Sequence, residues 1–222
     1  MIDPKIQASL QAALAAFSKY SDFDAAALST TFEDVFSSDE DFLSKVDLMD
    51  NVFNDNPQLE ALREVFFDLL MINFFSADVK KLEEDYLDTP EWESIEEDTL
   101  DRGTELLNLL LYLNECEDED IEPELEDYLK EFLLVDEDEF QDEYRIYEPV
   151  IANQILMDSP VAEISKVAAK IPDDSELKEL FYPMMCFFQN NEPSADAQNE
   201  IADQSINKEF DMAVLDLLVN FK

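Results

Sequence analysis

The chain has no histidine and only one glycine, Gly103. Without histidine the commonest general base is missing, and so is the Glu-x-x-His pattern of two-metal helical sites. With one glycine, the phosphate-cradling loops of nucleotide sites are excluded. Glycine poverty also disfavours many-turned β architectures, where positive φ recurs. Only two cysteines occur, Cys116 and Cys186, too few for a disulfide framework, and such a pair fits a reducing compartment. Cys186, within FYPMMCFF, reads as a small buried hydrophobe, and the acids around Cys116 disfavour its thiolate. No GxSxG, Cys/His or Ser/Lys pattern signals a nucleophile.

Basic residues are scarce as well. Fourteen Lys and Arg face 56 Asp and Glu, for a formal net charge of −42. Such a chain repels nucleic acid and anionic membranes and attracts cationic surfaces. Its self-repulsion strains the compact state, so salt or loosely held divalent cations should help it fold. The charge-free stretch Leu180 to Asn191 is too short to span a bilayer. Asp3 and Pro4 stand where a signal peptide would carry Lys or Arg before an apolar run, so a cytoplasmic setting is expected.

What the chain does have is a core. Hydrophobic residues make up 46% and include 17 Phe, which argues against global disorder. Their spacing is helical throughout. Lys5 to Tyr20 places Ile6, Leu10, Ala13, Leu14 and Phe17 on one face, with Asp3 and Pro4 as its start. Phe23 to Leu28 reads as a turn or short helix, and Thr30 and Glu33 have capping-box spacing before Phe32, Val35 and Phe36. Asp39 to Phe53 is a second amphipathic helix. Asn56-Pro57 opens a helix that is apolar nearly all round through Phe75 and should be central in the core. Thr89-Pro90, Pro123, Ser159-Pro160 and Pro193-Ser194 open further helices, and Leu106 to Leu113 is a buried segment.

The expected fold is all-α, an irregular multi-helix bundle or a short α-superhelical stack of helical hairpins. Prolines 57, 90, 123, 160 and 193 stand 33, 33, 37 and 33 residues apart, the period of helix–turn–helix repeats. The plainer reading is that prolines mark helix starts in a bundle. No Ser/Gly linker divides the chain, so one domain over 1–222 is expected, with 1–54, the least acidic part, as the candidate for a helical subdomain.

The densest charge lies in Asn114 to Glu148, with 17 acids against Lys130 and Arg145. Leu125, Tyr128, Leu129, Phe132 and Leu133 sit in it at helical spacing, so an apolar stripe should anchor a carboxylate face on a folded body. As one helix rising 1.5 Å per residue, the stretch would carry about one net charge per 3.5 Å, close to the roughly 3.4 Å phosphate spacing of a DNA strand. Pro123 should break that helix. Asp136 and Asp138 follow the order of a calcium loop, but Gln141 replaces its glycine and Tyr147 its last ligand, so a specific calcium site is rejected. Interleaved Tyr86, Trp92, Tyr112, Tyr128, Phe140, Tyr144 and Tyr147 should be mostly core or half-buried.

These features indicate a binding protein without enzymatic activity or cofactor. It would occlude a basic surface of a protein partner, and in composition it resembles DNA-mimic inhibitors of nucleic-acid-binding proteins. An immunity protein against a basic toxin and a helical-repeat interaction scaffold are the alternatives. The residues expected to face Arg or Lys of the partner are Glu117, Asp118, Glu119, Asp120, Glu122, Glu126, Asp136, Glu137, Asp138, Glu139, Asp142 and Glu143.

Overall fold

The computed structural model describes residues 2–76, 84–132 and 137–222, without the side chains of 84–85, 131–132 and 137–143. Helices and their connections account for the described residues, among which there is no strand. The fold is an all-α multi-helix bundle. Its α-helices are α1 (Pro4–Tyr20), α2 (Ser29–Ser37), α3 (Phe42–Asp55), α4 (Arg63–Ser76), α5 (Glu84–Leu87), α6 (Pro90–Thr99) and α7 (Leu106–Glu119). Then follow α8 (Leu125–Phe132), α9 (Glu137–Ile151), α10 (Val161–Ala168), α11 (Phe181–Gln189), α12 (Ala195–Gln204) and α13 (Lys208–Phe221). Single 3-10 turns at Ala25–Leu28, Pro57–Leu62 and Gln154–Asp158 lead from one helix towards the next. No described helix is long and apolar enough to cross a membrane.

α1 begins as the sequence indicates. The Asp3 side chain accepts from Lys5 N at 2.9 Å, Pro4 occupies the first helical position, and Ile6, Leu10, Ala13, Leu14 and Phe17 are buried. Its broadest packing partner is α13, the other end of the chain. The two run antiparallel: the Lys5 ammonium lies 4.7 Å from the Phe221 ring, and the Lys208 ammonium 5.8 Å from the Tyr20 ring. An open superhelical stack, in which each unit touches only its neighbours, would not bring α1 against α13.

α4 is central, as its all-round apolar pattern implies. Val65 through Asn73 are all buried, including Asp68 and Asn73. Asn73 Oδ1 accepts the Asp3 N–H at 3.0 Å and so ties α4 to the start of α1. Phe66 meets Phe32 of α2 and Phe53 of α3 with ring centroids 4.8 and 5.7 Å apart. Each such buried ring stabilises the fold by about 1.5–3 kcal/mol.

Several local expectations shift. Thr30 and Glu33 form no capping box, because α2 already starts at Ser29. Glu33 instead accepts from Gln7 Nε2 at 2.8 Å and Gln11 Nε2 at 2.6 Å, clamping α2 to α1. The second amphipathic helix starts at Phe42 rather than Asp39, because Asp41 is its cap and accepts from Ser44 N at 2.9 Å. Asn56 donates back to Val52 O at 2.8 Å instead of capping forward, and Pro57 opens a 3-10 turn before α4. Ser159 likewise does not cap α10; its hydroxyl donates to Ile155 O at 3.2 Å. The segment after Pro193-Ser194 is two helices, α12 and α13. Tyr112, Tyr128 and Tyr147 are buried, Tyr86 and Trp92 half-buried, and Tyr144 is exposed; the Phe140 side chain lies outside the described residues.

Candidate interaction surface

The acidic stretch is not one helix but three pieces, α7, α8 and α9. α7 buries Leu106, Leu109, Leu110, Tyr112, Leu113 and Cys116, and turns Glu115, Glu117, Asp118 and Glu119 to solvent. It ends at Asp120, which takes the left-handed conformation with φ +56° and ψ +44°. Asp120 N donates to Glu117 O at 3.2 Å, and Ile121 N to Cys116 O at 2.9 Å. That bond pair is a Schellman ending, whose left-handed position is usually filled by glycine. Here the turn comes before Pro123, three residues earlier than a proline break alone would put it.

α8 is fixed to α7 by a side chain. The Tyr112 hydroxyl accepts from Glu124 N at 3.0 Å and donates to Glu124 O at 3.1 Å. Leu125, Tyr128 and Leu129 of the apolar stripe are buried and anchor this helix, while the Phe132 side chain and Leu133 lie outside the described residues. Beneath it, the Tyr128 and Tyr147 hydroxyls are 2.7 Å apart, and Tyr147 donates to Glu105 Oε2 at 2.7 Å. Burial pushes the Glu105 carboxyl above its ordinary range, against the hydrogen bonds from Tyr147 and Asn108, and pushes the Tyr147 hydroxyl up strongly.

The result is a ridge of exposed acids: Glu115, Glu117, Asp118, Glu119, Asp120, Glu122, Glu124, Glu126 and Asp127. Cations from three places partly neutralise it. Lys5 pairs with Glu117, Lys222 with Glu122 at 2.7 Å, and Lys130 with Glu126 at 3.0 Å and Asp127 at 3.2 Å. The Lys222 ammonium holds the Glu122 carboxyl below its ordinary range. Glu115, Asp118, Glu119, Asp120 and Glu124 make no ion pair with a described residue.

Six of the twelve acids singled out from sequence, Glu117, Asp118, Glu119, Asp120, Glu122 and Glu126, thus stand together on this ridge. Asp136 lies outside the described residues, as do the side chains of Glu137, Asp138, Glu139, Asp142 and Glu143 in α9. Glu115, Glu124 and Asp127 belong to the ridge and were not singled out; their alternation with Cys116, Leu125 and Tyr128 marks them as outward-facing. A second acid-rich face, Glu91, Glu93, Glu96, Glu97 and Asp98 of α6, is also exposed.

A cleft of about 810 Å³, open to solvent, lies among α4, the Arg102–Glu105 loop, the Asp173–Leu180 segment and the start of α13. Its acids are held in different ways. Glu64 accepts from Arg102 Nε at 3.0 Å and Gly103 N at 2.8 Å, while Glu60 is held by Arg63. Asp211 is buried, accepts from Ser205 Oγ at 2.5 Å and Asn207 N at 3.3 Å, and is pushed up to about 6 by that burial. Among the described residues no group of three or more Asp, Glu or Cys is placed to hold a metal ion.

No family model matches this chain, and no curated protein or solved structure matches it either.

Proposed function

We propose that the chain is a non-enzymatic binding protein whose α7–α8 ridge covers a cationic surface of a partner protein, in the manner of a DNA mimic. One observation carries this reading: Asp118, Glu119 and Asp120, at the carboxyl end of α7, make no ion pair with a described residue. That end of a helix already bears the equivalent of about half a negative charge and favours cations by roughly 0.3–1 kcal/mol each. Asp120 also occupies a backbone position that suits glycine. Local features that oppose stability concentrate where function requires them. A surface under selection for solubility alone could place its charge at less costly positions. The scarce bases support the same reading. Lys5 and Lys222 brace the ridge from α1 and the chain end, yet leave its centre anionic.

The test is capture on the immobilised chain at low salt, followed by displacement with duplex DNA and by salt steps. A ridge variant, Asp118→Asn with Glu119→Gln and Asp120→Asn, is run beside a variant with the same charge removed from α6, Glu91→Gln with Glu93→Gln and Glu97→Gln. The expected outcome is a captured basic protein that DNA displaces, with most of the affinity lost in the ridge variant and little in the α6 variant. Equal losses would reduce the effect to net charge. Binding that ignores salt and survives the ridge variant would favour an interaction scaffold.

A further inference from the structure

The cleft beside α4 lies far from the ridge. Thr104 lines it just before α7 begins, and Glu119 ends the same helix on the ridge, which at 1.5 Å per residue puts the two about 20 Å apart. α13 repeats the relation: Asn207 and Phe210 are in the cleft, while Lys222 reaches Glu122.

The floor of the cleft is apolar. Val65, Leu180 and Phe210 line it from beneath, each only 2–4% exposed, as does the ring of Tyr182, whose hydroxyl is satisfied by Ile201 O at 2.7 Å. On its lip stands Ile206, 65% exposed, in the α12–α13 turn. That turn is held by Asp211, which accepts from Ser205 and Asn207 on either side of Ile206. A single exposed isoleucine is unremarkable by itself. One that is fixed at the mouth of an apolar cleft extends the apolar wall outward.

The rim is anionic. Glu60 and Glu64 are engaged by Arg63 and Arg102, and Asp173 by Lys178 at 3.5 Å. Lys178 is itself turned onto the carbonyls of Ile171 and Ala168. Glu176 and Glu179 are exposed and make no ion pair with a described residue. The cleft therefore offers a hydrophobic seat beside two open carboxylates. A hydrophilic polyamine would leave the seat wet, and an uncharged apolar ligand would leave the carboxylates unanswered.

We propose that this cleft docks a basic segment of a partner protein, with one bulky apolar side chain seated against Val65, Leu180 and Phe210 and flanking Arg or Lys beside Glu176 and Glu179. The volume of about 810 Å³ suits such an anchor with its neighbouring residues. The inference concerns a different face from the ridge and does not depend on the ridge's role.

The experiment uses fluorescein-labelled short peptides with Arg and Lys on both sides of one central position, which is Phe, Leu or Ser at constant charge. Binding to the full chain is followed by anisotropy. Phe and Leu peptides should bind about tenfold or more tighter than the Ser peptide, the size expected for burying one apolar side chain. Ile206→Ser, at an exposed position that leaves folding unaffected, should shrink that preference. Glu176→Gln with Glu179→Gln should weaken all three peptides alike and flatten their salt dependence. The ridge variant should keep the apolar preference, which separates failure here from failure of the ridge reading. Equal affinity for the Phe and Ser peptides would overturn the proposal. So would a preference unchanged by Ile206→Ser, or spermine displacing the Phe peptide as well as unlabelled Phe peptide does.

Discussion

Gly103 lies against Asp68 so closely that a Cβ in its place would be 2.7 Å from Asp68 Oδ1, and its own φ is +86°. The chain's one glycine thus sits where the loop after α6 crosses the buried centre of α4. Gly103 N donates to Glu64 and Thr104 N to Asp68, successive acids on one face of α4. Arg102 closes the arrangement on Glu64 and on Asp50 of α3. Gly103→Ala should cost about 1–3 kcal/mol, from the left-handed backbone and from displacing a buried carboxyl. Urea midpoints measure this, and an unchanged midpoint would mean the loop can leave Asp68 without penalty.

Acid should stabilise this protein before it denatures it. Burial, and further the nearby Glu179 charge, pushes the folded Asp211 carboxyl up from an ordinary 3.8 to about 6, against the Ser205 and Asn207 hydrogen bonds. A carboxyl raised on folding keeps its proton in the folded state while the unfolded chain has lost it. Its contribution is therefore fully present below 3.8 and lost as pH rises through about 6. The difference is on the order of 3 kcal/mol at 1.36 kcal/mol per unit. Asp68, Glu105 and Asp216 are raised in the same direction by burial. Asp211→Asn should raise stability at neutral pH and reduce the slope of unfolding free energy against pH by about one proton over this window. A slope that does not change would assign the pH response to the surface charge alone.

Local features of the fold were legible in the sequence, and assembled ones were not. α1, α4 and the anchored α8 follow from apolar spacing within a single helix. The ridge was legible for the same reason, since its acids are adjacent in sequence. Asn56 and Ser159 do not cap because each side chain found a backward carbonyl that spacing does not reveal, although α10 does begin at Val161. The cleft draws on segments more than a hundred residues apart, such as Glu64 and Phe210, so no window of sequence contains it. The role of Gly103 depends on Asp68, which reads in sequence as an interruption of an apolar helix.

Lys222 should matter more than an ordinary surface lysine. Lys222 is 18% exposed and reaches both Glu122 of the ridge and Glu192 before α12. Lys222→Gln leaves Glu122 and Glu192 facing each other without a cation. The expected loss is up to about 1 kcal/mol at low salt and less at high salt, since exposed pairs are weak and screened. Thermal unfolding at two ionic strengths measures the difference. A salt-independent loss would show that the lysine acts through its aliphatic stem.

Asp120 separates stability from binding most cleanly. It is the left-handed residue ending α7, and α7 has no basic residue of its own in its last turn. Asp120→Gly removes the steric cost of a side chain at φ +56° and removes an anion from the negative end of the helix. Both effects have the same sign, so the variant should be more stable by about 1 kcal/mol. The Schellman bonds from Asp120 N and Ile121 N are backbone bonds and would remain. If the ridge is a binding surface, the same substitution should weaken capture of the basic partner while the melting temperature rises. Opposite movement of the two quantities cannot come from partial unfolding, which would lower both. A variant that gains stability and binds as before would place the contact elsewhere on the acidic surface, with the α6 face the next to test.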